Sequence, residues 1–515
     1  MAGERPSELR SEGEHNPTML KPTSSGRAGW LAPLLVIIVV LGVLVAACTA
    51  VQSPAPAPGQ TLPAAATLPP DLAGEAGEGQ KVVPFLTSES SPESVTQITA
   101  AIEAFEEANP DVAIELQLTS NDNRASRIIN AVAVGEELGV FEIERRWVPD
   151  FTTAGYVLPL NDIVEDIGVE NFIPGSLLYW PWDGNLYQLT SDLSAATLYY
   201  RTDLFEEAGL GEPDSFERLL EASERLHGQD GVAGNAFEIS GNGNNQRFVT
   251  FLWQNCGDFY TETGELAFDR DGARQAVEDY SELNQYAPEG NHSWGNLDPI
   301  NAYVAGRAAM ALFPGRLGYQ VATDAPDIAE NTGNVEARVA RGGEGPQVVY
   351  GAATTYAIGS TVQHPEEAKE FLKFLFTGDP LVQYAMGVPG HIAPAIPEAQ
   401  QAVLEQDHPY INQYRDWVEL IFQATEYYNH EAQNMGSIEE DCTFDKSLVP
   451  MPWSSKVLGD PPVPATMFQR INLEDQPLEE AYNEAVEAFR TGAEEYKAEN
   501  EWWEDPPEDY APPGS

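Results

Sequence analysis

KVVPFLTSESSPESVTQITAAIEAFEEANPDVAIELQL, residues 81–118, decides the fold class. VVPFL (82–86) is a short apolar run and reads as a buried strand. Ser91 then supplies a helix cap and Pro92 a first-turn residue. Val95, Ile98, Ile102 and Phe105 recur at helical spacing on one face. Asn109-Pro110 stops the helix, because a proline disfavours helical backbone in the residue before it. VAIELQL (112–118) alternates apolar and polar side chains and reads as a second strand. Strand, helix, strand is one βαβ unit, the building block of α/β layers.

The alternation continues outward. A helix is expected near 123–136, a short strand at VFEI (140–143), and another helix near 147–155. TLYYRTDLFEEAGL (197–210) reads as strand then helix, and SFERLLEASERL (215–226) is amphipathic. GDFYTETGELAFD (257–269) suggests a hairpin around Thr263-Gly264. HPEEAKEFLKFLFTGDP (364–380) reads as a helix with Pro365 inside its start, Gly378 past its end, and Ala368, Phe371, Leu372 and Leu375 on its apolar stripe. A last long helix is expected over 475–499, carrying Leu478, Tyr482, Ala485 and Phe489. Residues 501–515 form an acidic tail, expected to be disordered. No internal repeat is present.

The amino end is of another kind. LAPLLVIIVVLGVLV (31–45) is shorter than the roughly 20 residues a helix needs to cross a bilayer. Lys21 and Arg27 precede it, and Ala46, Ala47 and Cys48 follow, the order of a secretory signal over 1–47. A V-A-A-C ending resembles a bacterial lipobox, with Cys48 as the lipidated first mature residue. The alternative is a plain membrane anchor; both readings export residues 49–515. Residues 48–80 are rich in Pro and Ala with few large apolar side chains, so they read as a disordered, semi-extended tether. Met1 and Met19 both stand as start candidates.

Composition narrows the function. The chain has 81 acidic and 27 basic residues, a formal charge of -54, and it is 42% hydrophobic, enough for a sizeable core. Such a surface repels phosphate backbones and excludes nucleic acid as a partner. Apart from Cys48, the cysteines are Cys256 and Cys442, either a disulfide in an exported chain or two separate thiols. There is no CxxC and no HxxxH spacing, and EEDCTFD (439–445) lacks the loop ligands of an EF-hand. No metal and no cofactor are expected.

Five segments in order carry a resemblance: AFEEANPDVAIEL (104–116), FEIERRWVPDFTTAGYVLPLND (141–162), WDGNLYQLTSDLSAATLYYRTDLFEEAGL (182–210), INAYVAGRAAMALFPG (300–315) and YGAATTYAIGSTVQHPEEAKEFLKFL (350–375). Together they resemble the extracellular solute-binding proteins of ABC importers, family 1, the maltose- and trehalose-binding type. The resemblance implies an α/β, two-lobed periplasmic-binding-protein-like fold (type II). Its lobes, 81–192 with 352–392 and 193–351 with 393–500, would be joined by a hinge with three crossings near 190–197, 345–352 and 388–396. It implies a monomer that closes on a small-molecule solute, most naturally a carbohydrate, and docks on ABC permease subunits. A lipid at Cys48 would hold it at the outer face of the cell membrane.

A sugar site needs aromatic planes to stack on and planar carboxylate, amide or guanidinium groups for paired hydrogen bonds. Carried over by position, Glu144 stands where the family has an Asp, and Trp147 where it has a Trp. Thr87, Ser88 and Glu89 follow a strand's carboxyl end, where α/β clefts bind ligands. Thr190, Ser191 and Asp192 lie on the first crossing. Trp253, Trp294, Phe313 and Arg316 are second-lobe candidates, and Gly351 opens the second crossing. Trp180 and Trp182 read as either ligand contacts or core aromatics. Loss of Trp147 is expected to abolish binding with the melting temperature unchanged.

The chain also departs from the family. The common Pro-Asp-Val turn is Leu138-Gly139-Val140, the Gly-Gly-Trp of the second lobe is Gly351-Ala352-Ala353, and a Trp-Pro is Phe313-Pro314. Residues 405–465 have no placed counterpart. Two other readings stand beside the binding protein: an exported glycoside-active hydrolase, for which no carboxylate pair is singled out, and a surface interaction protein with a degenerate cleft. GNHSWG (290–295) has the wrong spacing for a serine nucleophile elbow.

Overall fold

The computed structural model describes residues 77 and 79–503, apart from 344, 431–433, 446–448, 460, 501 and 502. The signal, Cys48, nearly all of the tether and all of the tail but Trp503 lie outside the described residues.

Strand β1 (Lys81–Thr87) is flanked by β2 (Val112–Leu118) and β3 (Val140–Glu142), both parallel to it. The helix Pro92–Ala108 between β1 and β2 forms for the reasons legible in its sequence. Ser91 Oγ accepts the Ser94 N–H at 3.1 Å, and Pro92 occupies the first turn. Asn109 ends it by donating to Phe105 and Glu106 carbonyls. Its buried face is Val95, Ile98, Ala101, Ile102 and Phe105, and each large side chain removed from water contributes about 1.5–3 kcal/mol. Phe371, from the helix Pro365–Leu375, closes this core with its ring edge on Phe85 at 5.2 Å and on Phe105 at 5.3 Å. Distant chain thus completes the N-terminal half.

Two long strands leave that half. β9 (Val349–Ile358) pairs at its end with β3 and at its start with β10 (Tyr428–Asn429). β6 (Leu189–Arg201) pairs first with β9, over Leu189–Ala195. Beyond that it lies between β7 (Met310–Pro314) and β8 (Thr332–Val335). The sheet order is β2-β1-β3-β9-β6-β7, with β8 and β10 off that path, while β4 (Tyr179–Trp180) and β5 (Asn185–Leu186) form a separate antiparallel pair. A third segment joins them: Leu193 donates to the Ala393 carbonyl at 2.7 Å and Ala395 to the Ser191 carbonyl at 3.0 Å. Three stretches of chain therefore run side by side between the halves. The C-terminal half has its own core, with Phe248, Trp253, Tyr280, Trp453, Phe468 and Phe489 wholly or almost wholly buried.

Several local expectations need correction. The helix placed near 147–155 is a 3-10 turn, Arg145–Trp147, followed by the short helix Val148–Thr153, because Pro149 fits only a helix's first turn. The hairpin expected around Thr263-Gly264 is present: Tyr260 bridges Leu266 antiparallel, and Thr261 donates to the Glu265 carbonyl at 2.8 Å. Gly378 lies past one helix and opens another, Gly378–Ala385, from a φ of +59°. The unplaced 405–465 stretch contains the helices Pro409–Gln413 and Arg415–Ala424, β10, a two-stranded hairpin of β11 (Asn434–Met435) with β12 (Val449–Pro450), and the helix Ser454–Val457. Cys256 and Cys442 are joined in a disulfide with Cα atoms 5.0 Å apart. Among the described residues, no helix is long and apolar enough to cross a membrane.

Candidate functional site

β1 and β3 run parallel, so their carboxyl ends form one rim. Glu142, the last residue of β3, organises it. Ser88 donates to Glu142 from its backbone N–H at 2.6 Å and from Oγ at 2.9 Å. Thr87 Oγ1 lies 3.1 Å from Glu142 Oε2 and 2.9 Å from the Tyr356 hydroxyl. The Arg124 guanidinium completes the set, paired with Glu142 and, at 3.3 Å, with Glu144. Arg146 holds the other Glu144 oxygen at 2.5 Å. A carboxylate buried this deeply is tolerated because it is paired and multiply hydrogen-bonded. Its partners in turn fix the loops that end β1 and β3.

The crossing lies next to this rim. The β6–β9 register shifts between Thr190 and Asp192, leaving Ser191 as an extra residue; such bulges re-aim side chains. Ser191 Oγ donates to Asp192 Oδ2 at 2.7 Å, and Thr354 Oγ1 stands 3.4 Å from Oδ1. Burial pushes the Asp192 carboxyl up to about 7; the Glu89 charge adds to this, while Ser191, Thr354 and Arg316 oppose it. Glu89 follows β1 in the N-terminal half, and Arg316 opens the helix Arg316–Asp324 after β7 in the C-terminal half. Their charged groups meet at 3.5 Å. The His391 imidazole lies 3.0 Å from Ser194 Oγ, which also accepts the Gly315 N–H. Ser194 is wholly buried, so this pair ties crossing segments together and offers no exposed nucleophile. Burial, then Arg316, holds His391 well below the ordinary histidine range.

A second set of contacts spans the halves. Arg145 bonds the Tyr428 hydroxyl on β10 and Thr190 Oγ1, the latter at 2.8 Å. Ser454 Oγ donates to the Arg146 carbonyl at 3.0 Å. The stretch with no placed counterpart in the sequence therefore faces the Glu144–Trp147 turn.

The structure brings Glu89, Ser191, Asp192 and Arg316 together at the crossing, with Thr190 beside Arg145. It sets Thr87, Ser88 and Glu144 in the Glu142 network. Trp147 is half-buried against Ile128 and Phe151, beside a cavity of about 10 Å³ that Arg124 and Glu144 also line. Trp294 packs at the edge of the main core. Three second-half candidates need correction. Trp253 is 1% exposed inside the C-terminal core, where apolar packing leaves no ring face for a solute. Phe313 is buried with the Arg247 guanidinium over its ring at 4.2 Å. Gly351 lies under Tyr428, whose ring would meet a Cβ at 2.1 Å; it is glycine so that β9 and β10 can pair. Trp180 is buried, its ring tilted against Trp182 with centroids 4.6 Å apart. Glu142, Arg124, Glu238 and Arg247 escaped the sequence reading. An acid within an apolar run was the signal for two of them, Glu142 in VFEI (140–143) and Glu238 in AFEI (236–239); Arg124 and Arg247 carry none.

The model of the bacterial extracellular solute-binding protein family matches residues 89–379, more than half of the chain. The chain belongs to that family. A binding protein of Brucella abortus (strain 2308) is 25% identical over 321 residues, 60% of this chain and 74% of that one. The mannitol-binding protein of Pseudomonas aeruginosa is 26% identical over 217 residues, 40% of this solute-binding protein and 49% of the relative. Among solved structures, the GacH receptor of Streptomyces glaucescens, determined unliganded and with acarbose, superposes with a TM-score of 0.65 at 17% identity, covering 81% of this chain and 100% of that one. Maltose-bound MalE3 of T. maritima gives 0.64 at 18% identity, over 80% and 99%. These likenesses show the two-lobed type II fold, whose lobes are joined by a hinge.

Proposed function

We propose that this protein captures a neutral polyhydroxylated solute, a sugar or polyol, between its two halves and delivers it to the permease of an ABC importer. The observation that carries this reading is the meeting of Glu89 and Arg316 from opposite halves, beside buried Asp192, at the triple crossing. These groups offer acceptors and donors with balanced charge, which suits hydroxyls better than a net ion. The mannitol-binding relative supports the same solute class. Closure follows from the solute's greater affinity for the closed form. In this reading the protein binds without catalysis, works as a monomer, and is held outside the cell membrane by a lipid on Cys48 and a tether over 48–80.

A thermal-shift screen of the purified protein against D-mannitol, ribitol, maltose, amino acids and oligopeptides tests it. A solute that binds only the folded state must raise the melting temperature by mass action. The reading expects a rise with a polyol or sugar and at least tenfold weaker binding by Arg316→Ala. A rise with amino acids or peptides alone, or with no compound, overturns it.

A further inference from the structure

The C-terminal half contains a second polar cluster that the network above does not use. The segment Ala233–Ile239 runs beside β7 in the same direction: Ala233 bridges Ala308 in parallel, and Ala236 donates to the Met310 carbonyl at 2.8 Å. β7 leads into Pro314, which pairs with Ala196 at the crossing. The neighbouring segment therefore leads Glu238 and Ser240, and then the start of the helix Gly241–Gln254, toward the same crossing. That is the carboxyl-end position at which α/β sheets hold ligands.

Glu238 is wholly buried, and neither of its carboxylate oxygens accepts a hydrogen bond. Arg247 Nε stands 3.5 Å from Oε1, an ion-pair distance. Asn244 and Asn245 are wholly buried too; Asn244 Oδ1 and both polar atoms of the Asn245 amide have no partner. Buried polar atoms are almost always satisfied, so this concentration of orphaned acceptors calls for donors from outside the chain. The cation over Phe313 and beside Glu238 argues against a metal ion as that donor. Hydroxyl groups fit: each donates one proton to a carboxylate or amide oxygen and accepts from a guanidinium or amide N–H. The loop Asn291–Asn296 roofs the cluster, with Ser240 Oγ on the Trp294 carbonyl at 2.5 Å and Arg247 Nη2 on Asn296 Oδ1 at 3.2 Å.

We propose that Glu238, with Asn244, Asn245 and Arg247, forms the C-terminal-half wall of the solute site and selects solutes that present adjacent hydroxyls. The proposal rests on the sugar or polyol reading above. It makes Glu238 the residue that separates hydroxylated solutes from carboxylates and phosphates, whose charge a second buried carboxylate repels.

The test is calorimetric titration of the wild type, Glu238→Gln and Asn245→Ala with D-mannitol, ribitol and maltose, and with a deoxy analogue of whichever probe binds. Losing hydrogen bonds to a charged group weakens binding by about 10- to 100-fold. Glu238→Gln is expected to show that loss and also to melt lower, because it leaves the buried Arg247 guanidinium without its carboxylate; Asn245→Ala removes no charge and should weaken binding on its own. The deoxy analogue should bind the wild type weakly and bind Glu238→Gln no worse than the parent compound does. Equal affinity of Glu238→Gln and wild type overturns the proposal, as does an Asn245→Ala variant that binds as tightly as the wild type. Silence of the wild type toward all three probes instead refutes the solute class, and the proposal falls with it.

Discussion

The disulfide offers the sharpest test of how the chain is held together. Cys256 follows the helix Gly241–Gln254 of the C-terminal half, and Cys442 lies in the stretch that reaches across to the Arg146 turn. The bridge spans 186 residues of sequence. In the chain-entropy model a closed loop of that length removes about 5 kcal/mol of freedom from the unfolded state, and measured losses on removing native bridges run about 2–5 kcal/mol. Exchanging both cysteines for serine should therefore cost a few kcal/mol. For a body of this size, at roughly 1 °C per kcal/mol, the midpoint in scanning calorimetry should fall by about 2–5 °C. Asp258 limits the structural damage, because its carboxylate still accepts the Phe259 N–H at 2.7 Å and the Ile438 N–H at 3.2 Å. The double variant should fold and keep its secondary structure. An unchanged midpoint, or titration of two free thiols in the native protein, would refute the reasoning.

Asp192→Asn should change the pH dependence of stability. The folded state holds the Asp192 carboxyl at about 7 against an ordinary value of 3.8, so the folded form binds the extra proton and stability falls as pH rises between about 4 and 7. The variant should flatten that fall in calorimetric scans from pH 4.5 to 8; part of it should persist through Asp258, which burial also pushes up to about 7. A slope identical to wild type would remove Asp192 from the account. Gly351→Ala places a Cβ 2.1 Å from the Tyr428 ring and should destabilise by about 1–3 kcal/mol, read as a lower denaturant midpoint; an unchanged midpoint would show that β10 yields freely. Trp147→Ala should lower stability by about 1–3 kcal/mol, less than the about 3–5 for a fully buried tryptophan, because its half-buried ring packs on Ile128 and Phe151. This replaces the expectation that the melting temperature would not change, and an unshifted melt would restore it.

The first βαβ unit was legible because every signal in it is local: a cap, a proline, a helical stripe, an alternating strand. The helix Pro365–Leu375 was legible for the same reason. The Glu142 network was not. Its members Thr87, Ser88, Arg124 and Glu142 come from three segments, and only parallel pairing of β1 with β3 brings them together. Trp253 and Gly351 were candidates for the site, but tertiary context put the first in a core and the second under a ring. A tryptophan reads alike in sequence whether it faces a sugar or a phenylalanine cluster. Glu238 stands in AFEI (236–239) as Glu142 stands in VFEI (140–143), but an acid in an apolar run does not say which partners it will meet, and those come from distant chain.

The central claim is that a polyhydroxylated solute sits between the two halves. A crystal structure of the protein grown with the polyol or sugar that raises its melting temperature tests this most directly. The account predicts solute density at the crossing, with hydroxyls within about 3 Å of Glu89, Asp192 or Arg316. Solute bound on an outer face, with the Glu89–Arg316 gap closed to it, would contradict the account.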